Sequence, residues 1–196
     1  MKKLVGLTGK TGAGKSTVSA YLKEKGAYII DGDILAREIL TIDKSLLPRL
    51  CECFGYDILE SDGVTLDRRA LARKAFSNPE NTDLLNSVMH PAINREMKSR
   101  VEKAFSQYDT VVVDAAAIIE SGFADECDVL LVVHAPENVR KERIMKRDSL
   151  SEKDALVRMN GQKDDGFYLK KATFVISNYC DHDYKKQIDS LAKELF

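Results

Sequence analysis

The chain has 196 residues, 44% hydrophobic and 31% charged, a profile that fits one folded domain and excludes disorder, collagen-like repeats and low complexity. Thirty Lys and Arg against thirty-one Asp and Glu leave a net charge of −1, so there is no bulk attraction to nucleic acid or to an anionic membrane, and neither is expected as a partner. No apolar run approaches the ~18 residues of a membrane span, and Lys10 and Lys15 interrupt any secretory h-region after MKKLVGL.

Apolar runs rich in Val and Ile predict strands over residues 3–8, 27–31, 110–114, 128–134 and 173–177. They lack polar alternation, the mark of strands buried on both faces of a parallel sheet. Helical spacing predicts helices over 15–25, 34–40, 66–76 (with Asp67 as N-cap), 81–89, 91–106 and 183–196. The fold class is α/β, a doubly wound parallel five-stranded sheet. Nearly eighty residues between the second and third strands are too many for one crossover and read as an inserted helical lobe, residues 34–106. A second insertion, 139–167, starts basic and carries Ser151-x-x-Asp154, which resembles a capping box. The core is left with 1–33, 107–138 and 168–196.

Four scattered cysteines, Cys51, Cys53, Cys127 and Cys180, form no CxxC pair and predict packed thiols in a reduced cytoplasmic protein. Cys51 and Cys53 fall on roughly opposite sides of a helix. The triplet Asp181-His182-Asp183 has no second cluster to complete a metal site and reads as a helix start or solvated turn.

The segment Gly9-Lys10-Thr11-Gly12-Ala13-Gly14-Lys15-Ser16, followed by Thr17, fits G-x-x-x-x-G-K-[ST] between a strand and a helix. Glycines let the loop curl so that N–H groups point at phosphate oxygens, and the helix start adds its positive dipole end. Lys15 then reaches the β- and γ-phosphates and the Ser16 hydroxyl ligates Mg²⁺. Asp114 closes the run TVVVD at the carboxyl edge of the sheet, a Walker-B-like position for a metal-side carboxylate, with a strand-end or capping role as the alternative. Glu120 lies near enough in sequence to serve the same crevice. After the second strand, Asp31 and Asp33 stand two apart and would face one side if the strand continued. Asp33 is then placed to accept a proton from an attacking hydroxyl, or to cap the helix over 34–40. Arg140, Arg143 and Arg147 recur at helical spacing beside Lys141 and Lys146. They read as lid arginines that close over ATP, or as one solvated basic face. These residues alone point to a small-molecule kinase, with a nucleotide-binding switch as the competing class.

The chain resembles the dephospho-coenzyme A kinase family along nearly its full length. The resemblance rests on VGLTGKTGAGKSTV, IIDGDILAR, LDRRALARKAF, LLNSVMHPAI, Arg143 with Arg147-Asp148, the stretch from Ser151 through Arg158 to Gln162, and VISN ending at Asn178, all in family order. It implies ATP-dependent phosphorylation of the ribose 3′-hydroxyl of dephospho-coenzyme A, the last step of coenzyme A synthesis. By carry-over, Asp33 engages that hydroxyl; Arg37, Arg69, His90 and Asp114 lie on the acceptor side. Gly9, Gly12, Ala13, Gly14, Lys15, Ser16 and Thr17, with Arg143 and Asn178, contact the nucleotide. Ser16 and Asp114 hold Mg²⁺, and Lys15, Asp33, Arg143 and Arg147 carry the chemistry. The implied state is a monomer or weak homo-oligomer. The chain departs from the family pattern at Ala116, where a proline is usual, and at Lys10 and Thr11, where Gly and Ile are common. It departs again at Arg140, in a glutamine region, and at Thr173, where an Asp is frequent.

Overall fold

The protein is described from a computed structural model that covers residues 2–179 and 183–196. Five strands form one sheet: β1 (Lys3–Gly9), β2 (Tyr28–Asp31), β3 (Thr110–Asp114), β4 (Val129–His134) and β5 (Phe174–Ser177), in the order β2-β3-β1-β4-β5. Every pairing is parallel, so all the carboxyl ends share one edge. The register sets Leu7 and Asp31 on either side of Asp114.

Two compact units divide the chain. The first comprises Met1–Asp33 and Arg100–Phe196, the second Ile34–Ser99. In the first, Val5, Leu7, Val112, Leu131 and Val133 on one sheet face pack with Val18 and Leu22 of α1 (Lys15–Glu24). Ile176, Ile188 and Leu195 complete that core. The alternate residues Leu4, Val111, Val113, Leu130 and Val132 are also buried, which is why the strands read as unbroken apolar runs. Asp183 caps α9 (Tyr184–Ser190), accepting from the N–H groups of Lys185 and Lys186. The predicted closing helix is divided at Leu191, with α10 (Ala192–Leu195) beyond it. Asp181, His182 and Cys180 lie outside the described residues.

The second unit holds most of α2 (Gly32–Ile42), α3 (Leu46–Phe54), a short 3₁₀ turn at Tyr56–Ile58, α4 (Arg68–Ala75) and most of α5 (Pro79–Ala104). Ile39, Leu46, Leu50, Phe54, Ile58, Leu71, Val88 and Ala92 form its own core. Asp67 caps α4 as expected, accepting from Arg69 N at 2.8 Å and Ala70 N at 3.0 Å. Cys51 is buried and Cys53 exposed. Two expectations are corrected. Residues 81–89 and 91–106 are one helix rather than two, with Pro91 inside it. Pro91 and the residue four before it, Ser87, are both exposed, so water can reach the carbonyl that loses its partner. The unpredicted α3 contains Pro48 in its first turn, where a missing N–H costs nothing.

Beyond β4, α6 (Glu137–Asp148) and α7 (Glu152–Asn160) close a small core of Ile144, Ala155 and Met159. Ser151 Oγ caps α7 by accepting from Asp154 N at 3.2 Å, and α8 (Asp165–Leu169) leads back to β5. Among the described residues, no helix is long and apolar enough to cross a membrane.

Candidate active site

The loop between β1 and α1 depends on left-handed glycines. Gly12 has φ +80°, and a Cβ there would meet the Arg140 carbonyl oxygen at 2.6 Å. Gly14 has φ +93°, and a Cβ would overlap Asn178 Nδ2. The loop carbonyls are held from outside. Arg143 Nη1 donates to Gly12 O at 3.3 Å and Ala13 O at 3.2 Å, while its Nη2 reaches Asn178 O at 2.9 Å. Asn178 Nδ2 donates to Ala13 O at 3.0 Å. With the carbonyls so engaged, the N–H groups of Lys15 and Ser16 at the start of α1 face the loop and are available to an anion, while Thr17 N already donates to Gly14 O at 3.0 Å. Ser16 and Thr17 are exposed at that turn.

Two carboxylates converge on Lys15. Its Nζ pairs with Asp114 Oδ1 in a close contact and lies 3.5 Å from Asp33 Oδ2. Lys15 and Asp114 are mostly buried, and Asp33 is half open. The loop lysine, the β3 carboxylate and the candidate proton acceptor thus meet at the carboxyl edge of β1, β2 and β3. Asp33 is not related to Asp31 by strand alternation, because β2 ends at Asp31 and α2 starts at Gly32. The helical turn delivers it instead. Its Oδ1 accepts from Ala116 N at 3.0 Å, a donor that a proline at that position would lack.

The basic helix divides in function. Arg140 is 3% exposed, which corrects its reading as a lid arginine. Its Nε donates to Ala135 O at 3.1 Å and its Nη1 reaches Thr11 O at 3.5 Å, so it braces the loop from beneath. Arg143 also turns to the loop. Arg147 is exposed and bidentate on Asp148, which Arg158 also contacts at 2.6 Å. The Arg147 hydrogen bonds and the charges of both arginines hold the Asp148 carboxyl below the usual carboxylate range.

Several contacts had no signal in the sequence beyond residue type. Thr11 N donates to Gln162 Oε1 at 2.8 Å. Lys10 pairs with Asp165 at 3.1 Å, so it faces a partner rather than solvent. Burial alone would raise Asp165, but Lys10, with His134 and Arg140, outweighs it and keeps the carboxyl low. Thr173 Oγ1 accepts from Leu130 N at 3.0 Å, extending the β4–β5 edge. In the second unit, Arg37 and Arg69 are exposed and His90 is half-buried. Burial pushes the His90 imidazole below its ordinary value. Arg68 Nη2 donates to Arg37 O at 3.0 Å, joining α4 to α2.

The hard oxygens of Ser16 and Asp114 suit Mg²⁺ that arrives on a nucleotide and keeps phosphate and water ligands. Among the described residues, no cluster of three or more His, Cys, Asp and Glu is placed to hold a metal by itself.

The chain is similar to known proteins over most of its length. The family model for dephospho-CoA kinase matches residues 3–183. A dephospho-CoA kinase of Corynebacterium jeikeium is 41% identical over 179 residues, covering 89% of each chain. A crystal structure from Thermus thermophilus superposes with a TM-score of 0.82 at 31% identity, covering 100% of this chain and 98% of the other. A dephospho-CoA kinase from Campylobacter jejuni gives 0.69 at 26% identity, covering 99% and 97%.

Proposed function

The chain belongs to the dephospho-CoA kinase family, and we propose that it transfers the γ-phosphoryl group of ATP to the ribose 3′-hydroxyl of dephospho-CoA, giving coenzyme A. The observation that carries this reading is the meeting of Lys15, Asp33 and Asp114 at the sheet edge. One cation and two carboxylates there match a transfer from a polyphosphate to a hydroxyl.

The loop from Gly9 to Thr17 holds the β- and γ-phosphates, with Lys15 on their charge. Ser16 and Asp114 would hold the nucleotide's Mg²⁺, which would supply neutralising charge to the phosphate oxygens. Asp33 orients the acceptor hydroxyl and takes its proton. The 3′-oxygen forms the new bond to the γ-phosphorus as the bond to the bridging oxygen breaks, and ADP leaves with that electron pair. Arg143 and Asn178 support the nucleotide side. Arg147 exchanges Asp148 for phosphate when nucleotide binds, and its charge counts most in the transition state. Arg37, Arg69 and His90 of the helical unit recognise the acceptor. Residues 34–106 act as the acceptor-binding insertion and 139–167 as the lid. The enzyme works in the cytoplasm as a monomer or weak homo-oligomer, on small molecules rather than nucleic acid or membranes.

The test is ADP release from ATP and Mg²⁺ with dephospho-CoA, AMP, adenosine, uridine or no acceptor. Release that depends on dephospho-CoA alone is expected. Release with AMP instead would make the chain a nucleoside monophosphate kinase. Asp33→Asn should lower kcat by roughly 10²–10⁴ with ATP binding retained; an unchanged kcat would make Asp33 a helix-start residue only.

A further inference from the structure

Thr8 is wholly buried at the end of β1, and its Oγ1 donates to the carbonyl oxygen of Ala116 at 3.1 Å. One residue earlier, Ala115 N donates to Leu7 O at 3.1 Å, continuing the β1–β3 ladder past the end of the strand. The backbone at 115–116 is therefore tied on both sides to the strand that feeds the phosphate loop. The N–H of Ala116 points from this fixed backbone at Asp33 Oδ1, 3.0 Å away. The other carboxylate oxygen, Oδ2, is the one that faces Lys15. The two oxygens of Asp33 thus have different partners: one is held by a main-chain donor, the other turned to the reacting side.

We propose that Ala116 is a positioning residue: its main-chain N–H, fixed through the Thr8 hydroxyl, locks the rotation of the Asp33 carboxylate so that Oδ2 meets the acceptor hydroxyl. A hydrogen bond to a charged acceptor is among the stronger ones in a protein. An aspartate on the first turn of a helix, half open to water, otherwise has free rotation about its last bond. Small errors in the placement of a reacting group cost large factors in rate. Any residue with an N–H at position 116 can fill the role and proline cannot, so the lock is particular to this chain and is absent from relatives that carry the proline usual in the family. It rests on the reading of Asp33 as the group that engages the acceptor.

The experiment measures kcat and KM for dephospho-CoA, with ATP affinity measured separately, in Ala116→Pro, Ala116→Ser and Thr8→Val. Each substitution is also made in an Asp33→Ala background. We expect Ala116→Pro to lower kcat about tenfold with ATP affinity unchanged. Ala116→Ser, which keeps the N–H, should recover most of that loss. Thr8→Val should lower kcat in the same direction, because the next peptide, whose Ala116 carbonyl the Thr8 hydroxyl holds, loses its buried anchor and frees the Ala116 N–H to swing. In the Asp33→Ala background, neither Ala116→Pro nor Thr8→Val should cost anything more, because the carboxylate they act through is gone. An equal loss with and without the Asp33 carboxylate would overturn the inference, as would equal rates for the proline and serine variants. A wild-type chain that does not turn over dephospho-CoA would overturn the acceptor assignment instead.

Discussion

Replacing Arg140 by Met separates a buried brace from a lid contact. The side chain is 3% exposed, and its Nε–H to Ala135 O, at 3.1 Å, is a full hydrogen bond from a charged donor. Such bonds contribute roughly 1.5–3 kcal/mol. The reach of Nη1 to Thr11 O, at 3.5 Å, lies at the outer limit of hydrogen bonding and adds little. Met keeps most of the packing and also removes the cost of burying a guanidinium, which offsets part of the loss. The net destabilisation is about 2 kcal/mol. At about 2–4 °C per kcal/mol for a chain of this size, Tm should fall by about 4–8 °C. Thermal melts by circular dichroism read this directly. A Tm within about 1 °C of the wild type, with kcat reduced instead, would refute the buried brace and return Arg140 to the lid.

Three further outcomes are expected. Gly14→Ala forces a Cβ onto Asn178 Nδ2 at φ +93°, at about 1–2 kcal/mol for the backbone alone; calorimetry should find ATP affinity down at least about tenfold, and affinity within twofold of wild type would contradict the loop geometry. Burial, with the charges of Asp128, Glu126 and Asp125, pushes the Cys127 thiol up to about 12, so about one molecule in ten thousand is thiolate near pH 8. Peptide mapping after iodoacetamide should find the exposed Cys53 alkylated well before Cys127, and the reverse order would contradict the burial. Because burial lowers the His90 value, the unfolded chain binds this proton more readily than the folded one. Its contribution is complete above the ordinary histidine value near 6.5 and is lost as pH falls. Urea unfolding should then show wild type losing more stability than His90→Gln between about pH 7.5 and 5.5, and an equal loss would count against it.

The sheet was legible because doubly buried strands leave a simple trace. All five predicted strands occur, with ends shifted by at most a residue. The phosphate loop was legible because its glycines and Lys15 obey local geometry, and the Asp67 and Ser151 caps because each acts within three residues. What failed was long-range or depended on which side faced water. Pro91 marked a helix break in sequence, yet the exposure of Pro91 and Ser87 makes it harmless. Arg140, Arg143 and Arg147 shared one helical spacing, yet the first lies under the loop, the second beside it and the third on the surface with Asp148. Spacing says which residues share a face but not how deep each lies. The Gln162 contact with Thr11 spans 151 positions and the Ala116 contact with Asp33 spans 83; no local pattern encodes either.

The most direct test of the kinase assignment is to follow coenzyme A and ADP together, by mass spectrometry, in a reaction of ATP, Mg²⁺ and dephospho-CoA, beside the 3′-deoxy form of the same acceptor. The account predicts one coenzyme A for each ADP with the natural acceptor, and neither product above background with the 3′-deoxy acceptor. ADP formed equally with both acceptors, or phosphate found anywhere but the 3′-position, would contradict it.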